Sequence, residues 1–219
     1  VIFWQYNSAW PTLYWQLYDY YLRPNGAFYG AQQACEPLHV MYAYDDGSIY
    51  VLNSYYESFS NLTVSAKVYN FDMTEKYSNT AAIDVGPDSS NFVFTIPSIG
   101  GLTPVYFLKL ELKNSLGELV SSNFYWLSTK GDTRANFTDL MDLPSVDLNV
   151  SATLENNAGE YTLHATLENP ASDLAFFVNP SVIKGSQGLE VLPTYWSSNY
   201  FSMIPGENKG ITATFSQED

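Results

Sequence analysis

Val40-Met41-Tyr42-Ala43-Tyr44-Asp45-Asp46-Gly47-Ser48-Ile49-Tyr50-Val51-Leu52 places two apolar, aromatic-rich runs on either side of an Asp-Gly pair. Side chains of a strand alternate between two faces, so a period-two run suits a sheet with one buried face. Asp-Gly supplies the positive φ that a tight hairpin turn demands. The stretch therefore predicts a β-hairpin, and the same pattern repeats downstream. Strand-like runs occur at 62–69, 81–85, 92–96, 105–112 and 119–127, separated by turn residues such as Asn114 to Gly117. Seven short strands over residues 38–127 predict an immunoglobulin-like β-sandwich.

Residues 128–145 break the alternation with Thr, Lys, Gly, Asp and Asn and end at Leu143-Pro144, the composition of a linker. Runs at 146–154, 161–167, 175–183, 190–196 and 211–215 then read as strands of a second immunoglobulin-like sandwich, residues 146–219. Such domains take about 100 residues. The second module is shorter, so a last strand is expected beyond Asp219.

Residues 1–37 differ from both modules. They hold Trp4, Trp10 and Trp15 of the chain's five tryptophans, yet only Asp19, Arg23 and Glu36 as charges. Val1 to Tyr6 reads as a short buried strand, and Pro11 opens a helix carrying Leu13, Leu17 and Tyr21 that Pro24 stops. A second short helix is expected from about Phe28 to Cys35, since Pro37 prevents continuation. Neither has a clean polar face, so the segment expects burial against further structure. Val1-Ile2-Phe3-Trp4 opens the chain without an initiator Met, which reads as a piece of a longer protein.

The composition excludes several functions. A hydrophobic content of 46% gives a foldable core. A net charge of -14, with only nine Lys and Arg, argues against nucleic acid, because phosphate binding needs clustered cations. An acidic surface can attract a polycation, but most acidic proteins are acidic merely for solubility. No apolar run reaches the roughly 18 residues that span a bilayer, and no signal-peptide pattern opens the chain. Cys35 alone cannot form an internal disulfide and reads as a buried hydrophobe. His39 and His164 lack partners at ligand spacing and read as structural, so no metal site and no cofactor are expected. Asp19 and Glu36 read as hydrogen-bonding or capping carboxylates. The sequons at Asn61, Asn136 and Asn149 identify no compartment.

The most informative run is Trp4-Gln5-Tyr6-Asn7-Ser8-Ala9-Trp10-Pro11. An indole at a strand end can stack on a sugar ring, and an amide can bind hydroxyls, which makes Trp4, Asn7 and Trp10 candidate substrate-binding residues. Composition alone reads the same tryptophans as core.

Residues 4–21, Leu22-Arg23-Pro24, Tyr29-Gly30-Ala31 and Ala34-Cys35-Glu36-Pro37-Leu38-His39-Val40 together resemble the end of the catalytic barrel of glycoside hydrolase family 2 and its passage into an immunoglobulin-like domain. Asn169-Pro170, Leu174 to Phe177, Glu190 to Pro193, Ser198 to Phe201 and Pro205-Gly206-Glu207 are similar to the final domain of its glucosaminidases and β-mannosidases. Trp10-Pro11 favours the exo-β-D-glucosaminidase form. Ser8 departs from the β-mannosidase run, which carries an Asp there.

The resemblance implies a mainly β chain, two immunoglobulin-like β-sandwiches preceded by the last strand and helices of a (β/α)8 barrel at residues 1–37. It implies a parent that removes terminal sugars from chitosan or another β-linked oligosaccharide outside the cytoplasm, in an extracellular or periplasmic setting. Retention of configuration requires two carboxylates about 5 to 5.5 Å apart; the resemblance puts both in an upstream catalytic barrel of the same polypeptide, so none is expected in this chain. A β-mannosidase-type enzyme and a non-catalytic carbohydrate-binding sandwich are the alternatives.

Overall fold

The structure, a computed structural model, describes residues 2–12, 15–186 and 188–216. Packing divides the chain into two compact units, Ala34–Leu143, and Val1–Gln33 together with Pro144–Asp219.

The Ala34–Leu143 unit is a β-sandwich. One sheet has the order β1-β2-β5, from β1 (Leu38–Tyr42), β2 (Ser48–Asn53) and β5 (Ser89–Thr95). The other has the order β4-β3-β6-β7, from β3 (Phe59–Asn70), β4 (Glu75–Val85), β6 (Val105–Lys113) and β7 (Leu119–Ser128). Every pairing within the two sheets is antiparallel. Leu62, Val64, Ala66 and Val68 of β3 alternate into the core, where they meet Leu108, Leu110 and Leu112 of β6 and Val40, Ile49 and Val51 of the facing sheet. The hairpin forms as the alternation predicts. Gly47 sits at φ 73°, its N–H reaches the Ala43 carbonyl at 3.0 Å, and the Asp46 carboxylate accepts the Ser48 N–H at 2.9 Å. The linker stretch contains two short 3-10 turns, Asp132–Arg134 and Thr138–Asp142.

The other unit carries a four-stranded sheet of order β11-β13-β9-β8, built from β8 (Asn149–Asn157), β9 (Glu160–Glu168), β11 (Tyr195–Trp196) and β13 (Asn208–Ser216). A pair, β10 (Ala175–Val178) with β12 (Phe201–Met203), completes its β structure. Its core joins Ala165, Leu167, Ala175, Trp196, Met203, Ile211 and Ala213 to Tyr29 of α1 (Gly26–Ala34), the one α-helix among the described residues. Thus α1, from the aromatic opening segment, shares a core with the second sandwich.

Four expectations need correction. Residues 2–6 form no strand, and Phe3, Trp4 and Tyr6 are exposed rather than buried; Val1 lies outside the described residues. No helix runs through residues 15–21, and Leu13 lies outside the described residues. The Asp19 carboxylate takes the backbone N–H groups of Tyr21 and Arg23, each at 2.9 Å, and so competes with helical pairing. The barrel part of the fold expectation therefore has no strand among the described residues. The expected runs 175–183 and 190–196 shrink to β10 and β11, because Pro180 and Pro193 cannot donate to a ladder. Cys35 is exposed just beyond α1.

Candidate functional site

Trp4, Asn7 and Trp10 lie on an irregular segment fixed by backbone pairing. The Gln5 N–H reaches the Trp15 carbonyl at 3.0 Å, Tyr18 N–H reaches Tyr6 at 2.9 Å, and Asn25 N–H reaches Leu17 at 3.1 Å. Inside this ladder Ser8 and Gln16 are buried. Ser8 Oγ donates to Gln16 Oε1 at 2.8 Å, and Gln16 Nε2 donates to the Thr12 carbonyl at 3.1 Å. Two polar side chains thus occupy the inside of the turn while the tryptophans stay out.

Trp4 is 70% exposed, Trp10 66% and Trp15 67%, and Asn7 is exposed as well. Such a concentration of exposed indole exceeds the scattered apolar residues of an ordinary surface. The segment is anchored by rings that step inward: Tyr6 to Tyr18 (4.7 Å between centroids), Tyr18 to Phe28 (5.1 Å), Phe28 to Tyr29 (5.1 Å) and Tyr29 to Tyr200 (6.0 Å). Burial, aided by the neighbouring Tyr200, pushes the Tyr29 phenol up to about 12. Arg23 adds an ion pair with Glu190 and lies 4.0 Å from Asp19.

The remaining nominated groups have other roles. Asp19 accepts two backbone N–H groups, the hydrogen-bonding role its context suggested. Glu36, in the Ala34–Leu143 unit, accepts the Ser121 Oγ hydrogen at 2.6 Å and lies 3.2 Å from His39 Nδ1. His39 is buried, with Nε2 3.2 Å from Asn123 Nδ2. Ser121 and Glu36 both face the same ring nitrogen, so the trio lacks the relay in which a base bridges nucleophile and acid. His164 is exposed, 4.0 Å from Glu155. Among the described residues no group of three His, Cys, Asp or Glu side chains could hold a metal ion. Also among them, no helix is long and apolar enough to cross a membrane. Sequence reasoning missed the buried Ser8–Gln16 pair and the Arg23–Glu190 bridge. Their only signal was polarity in an apolar run.

The two units are thus immunoglobulin-like β-sandwiches, one of which carries the aromatic opening segment. Residues 126–219 match the profile described as "Exo-beta-D-glucosaminidase Ig-fold domain", and residues 46–130 match "Mannosidase Ig/CBM-like domain". All of this chain aligns with 23% of the exo-β-D-glucosaminidase of Amycolatopsis orientalis at 39% identity. An exo-chitosanase of that organism, solved in complex with PNP-β-D-glucosamine, superposes with a TM-score of 0.88 at 37% identity, over 98% of this chain and 27% of that one. A β-D-mannosidase from Dictyoglomus thermophilum, at 20% identity and a TM-score of 0.65 over 98% of this chain and 24% of that one, shares the fold. The chain is accordingly related over its whole length to the C-terminal region of exo-β-D-glucosaminidases, and β-mannosidases are also among its relatives. It spans about a quarter of the length of the curated relatives it matches.

Proposed function

We propose that this chain is the C-terminal part of a retaining β-glycosidase that releases terminal glucosamine from chito-oligosaccharides. Its opening segment, of which α1 is the one helix among the described residues, packs against the parent's catalytic barrel. The observation that carries this reading is the exposure of Trp4, Trp10 and Trp15 on a segment whose Tyr18 packs through Phe28 and Tyr29 toward the core of the second sandwich. A face so apolar calls for a partner surface, and the parts of such a barrel that this chain lacks would supply it.

In that setting Trp4 forms the floor of the subsite for the terminal sugar, with its indole against the apolar face of the pyranose. Asn7 and Trp10 border the pocket, Asn7 offering an amide to sugar hydroxyls. Stacking and hydrogen bonds from the Asn7 amide hold the ring in place for attack. The acid that protonates the leaving oxygen and the carboxylate that forms the glycosyl intermediate are supplied by upstream residues. Asp19 is committed to two backbone N–H groups, and Glu36 belongs to the Ala34–Leu143 unit rather than to the opening segment. A substrate of chitosan's size is met outside the cytoplasm, which is where the parent acts.

The match of residues 46–130 to a mannosidase domain favours β-mannoside hydrolysis as the second reading. Assays of the complete polypeptide on matched β-glucosaminide and β-mannoside substrates separate the two. The expected outcome is turnover of the glucosaminide by the complete polypeptide and none of either by this chain alone. Hydrolysis by this chain would overturn the assignment of the carboxylates. Binding of insoluble chitosan by a complete polypeptide without hydrolytic activity would indicate a carbohydrate-binding module instead.

A further inference from the structure

We infer that the first sandwich carries a binding cleft for a protonated amino sugar, a glucosamine unit of a chito-oligosaccharide, between Glu36, Glu57, Tyr55 and Phe59. The identity of the sugar rests on the reading above; the preference for an amine rests on the cleft itself. The cleft has a volume of about 350 Å³, at the small end of ligand sites and suited to a single ring. Pro37 and Val120 give it apolar wall, and the rings of Tyr55 and Phe59 lie 5.6 Å apart at 56°. Among the described residues no lysine or arginine lines it, and the one basic group beside its carboxylates is the His39 ring beneath Glu36.

Both sides of the cleft are fixed from beneath. Glu36 Oε2 accepts from Ser121 Oγ at 2.6 Å and lies 3.2 Å from His39 Nδ1. Ser121 and His39 are 2% and 4% exposed. Ser121 is itself held by the Val40 N–H at 3.4 Å, and His39 by Asn123 at 3.2 Å. On the other side the buried Asn53 organises the loop that carries Tyr55 and Glu57. Its Nδ2 donates to the carbonyls of Glu57 at 2.8 Å and Gly86 at 2.7 Å, and its Oδ1 accepts the Tyr55 N–H at 3.0 Å. The held Glu36 carboxylate and the fixed backbone of the Tyr55–Glu57 loop lose little freedom on binding.

The chemistry selects one ligand class. Carboxylates and aromatic rings together attract an ammonium group through charge-assisted hydrogen bonds and cation–π contact. The same rings take the apolar face of a pyranose. Anions are repelled. A metal ion would find only two carboxylates, beside rings that do not ligate. The chain's net charge of -14 draws a polycation toward the cleft.

Titration of this chain with a fully deacetylated glucosamine trimer, followed by NMR shifts at Tyr55 and Phe59, tests the inference. The N-acetylated trimer, which is neutral, serves as the control. The deacetylated trimer should bind and shift both rings, with weaker binding as salt rises, while the acetylated trimer leaves them unmoved. Glu57→Gln, an exposed and conservative change, should weaken binding about tenfold, and Glu36→Gln by at least as much. Equal binding of the two trimers, unmoved Tyr55 and Phe59 signals, or wild-type affinity in Glu57→Gln would overturn the cleft. Those results alongside glucosaminide turnover by the complete polypeptide would sink the cleft alone. Amine-selective binding in a chain whose complete polypeptide turns over no glucosaminide would sink the enzyme reading and keep the cleft.

Discussion

Asn169 shows how one side chain can tie a sandwich together. It is fully buried; Nδ2 donates to the carbonyls of Asp173 and Met203, both at 2.9 Å, while Oδ1 accepts the Ala171 N–H at 3.1 Å. Asn169→Ala would leave those groups unpaired, each worth about 1–3 kcal/mol when buried. A loss of about 3 kcal/mol in urea unfolding is expected, and a loss below about 1 kcal/mol would contradict the assignment. The sequence marked Asn169-Pro170 only through family likeness, because Met203 is distant along the chain and no local pattern announces it. Trp4, Asn7 and Trp10 were legible as residue types suited to sugars. Their exposure was not, since an apolar run looks the same whether it faces a core or awaits a partner.

At the scale of elements, α1 joins the opening segment to the second sandwich. Asn25 Oδ1 caps it by accepting the Ala27 and Phe28 N–H groups at 3.0 and 3.2 Å, and Tyr29 enters the core. Replacing Tyr29 with Ala should destabilise that unit by about 3 kcal/mol, judged from aromatic truncations in cores. Calorimetry should show the Ala34–Leu143 transition unmoved. In the first sandwich the Tyr125 hydroxyl on β7 accepts the Tyr42 N–H of β1 at 3.1 Å and so bridges the two sheets. Burial pushes this phenol up to about 12, from an ordinary value near 10. The unfolded chain therefore releases the proton first, and the associated stability, whole below pH 10, is lost as pH rises toward about 12. Melting of residues 34–143 should fall across that window, and less steeply in Tyr125→Phe; identical profiles would contradict it. In the first sandwich, strands were readable because burial alternates along β3, β4 and β6. β12 (Phe201–Met203) escaped because three residues cannot display a period. The helix expected through Leu17 failed because Asp19 offers the backbone a competing partner.

For the whole molecule, the division into two units makes a direct claim about folding. Ala34–Leu143 has its own core and should melt cooperatively when produced alone, whereas Pro144–Asp219 without the opening segment should lose much of its stability with Tyr29. Equal melting of the second sandwich with and without residues 1–33 would contradict the shared core. The two sandwiches were legible from their spacing. The grouping of the opening segment with the second of them was not, because it depends on contacts between residues more than a hundred positions apart. The central claim is that this opening segment builds part of a sugar subsite in the complete polypeptide. It is tested most directly by kcat/KM of Trp4→Ala on a β-linked glucosamine disaccharide, measured beside the thermal midpoint. The account expects a fall of roughly a hundredfold with the midpoint unchanged, from loss of a stacking surface. An unaltered kcat/KM would place Trp4 outside the subsite and contradict it.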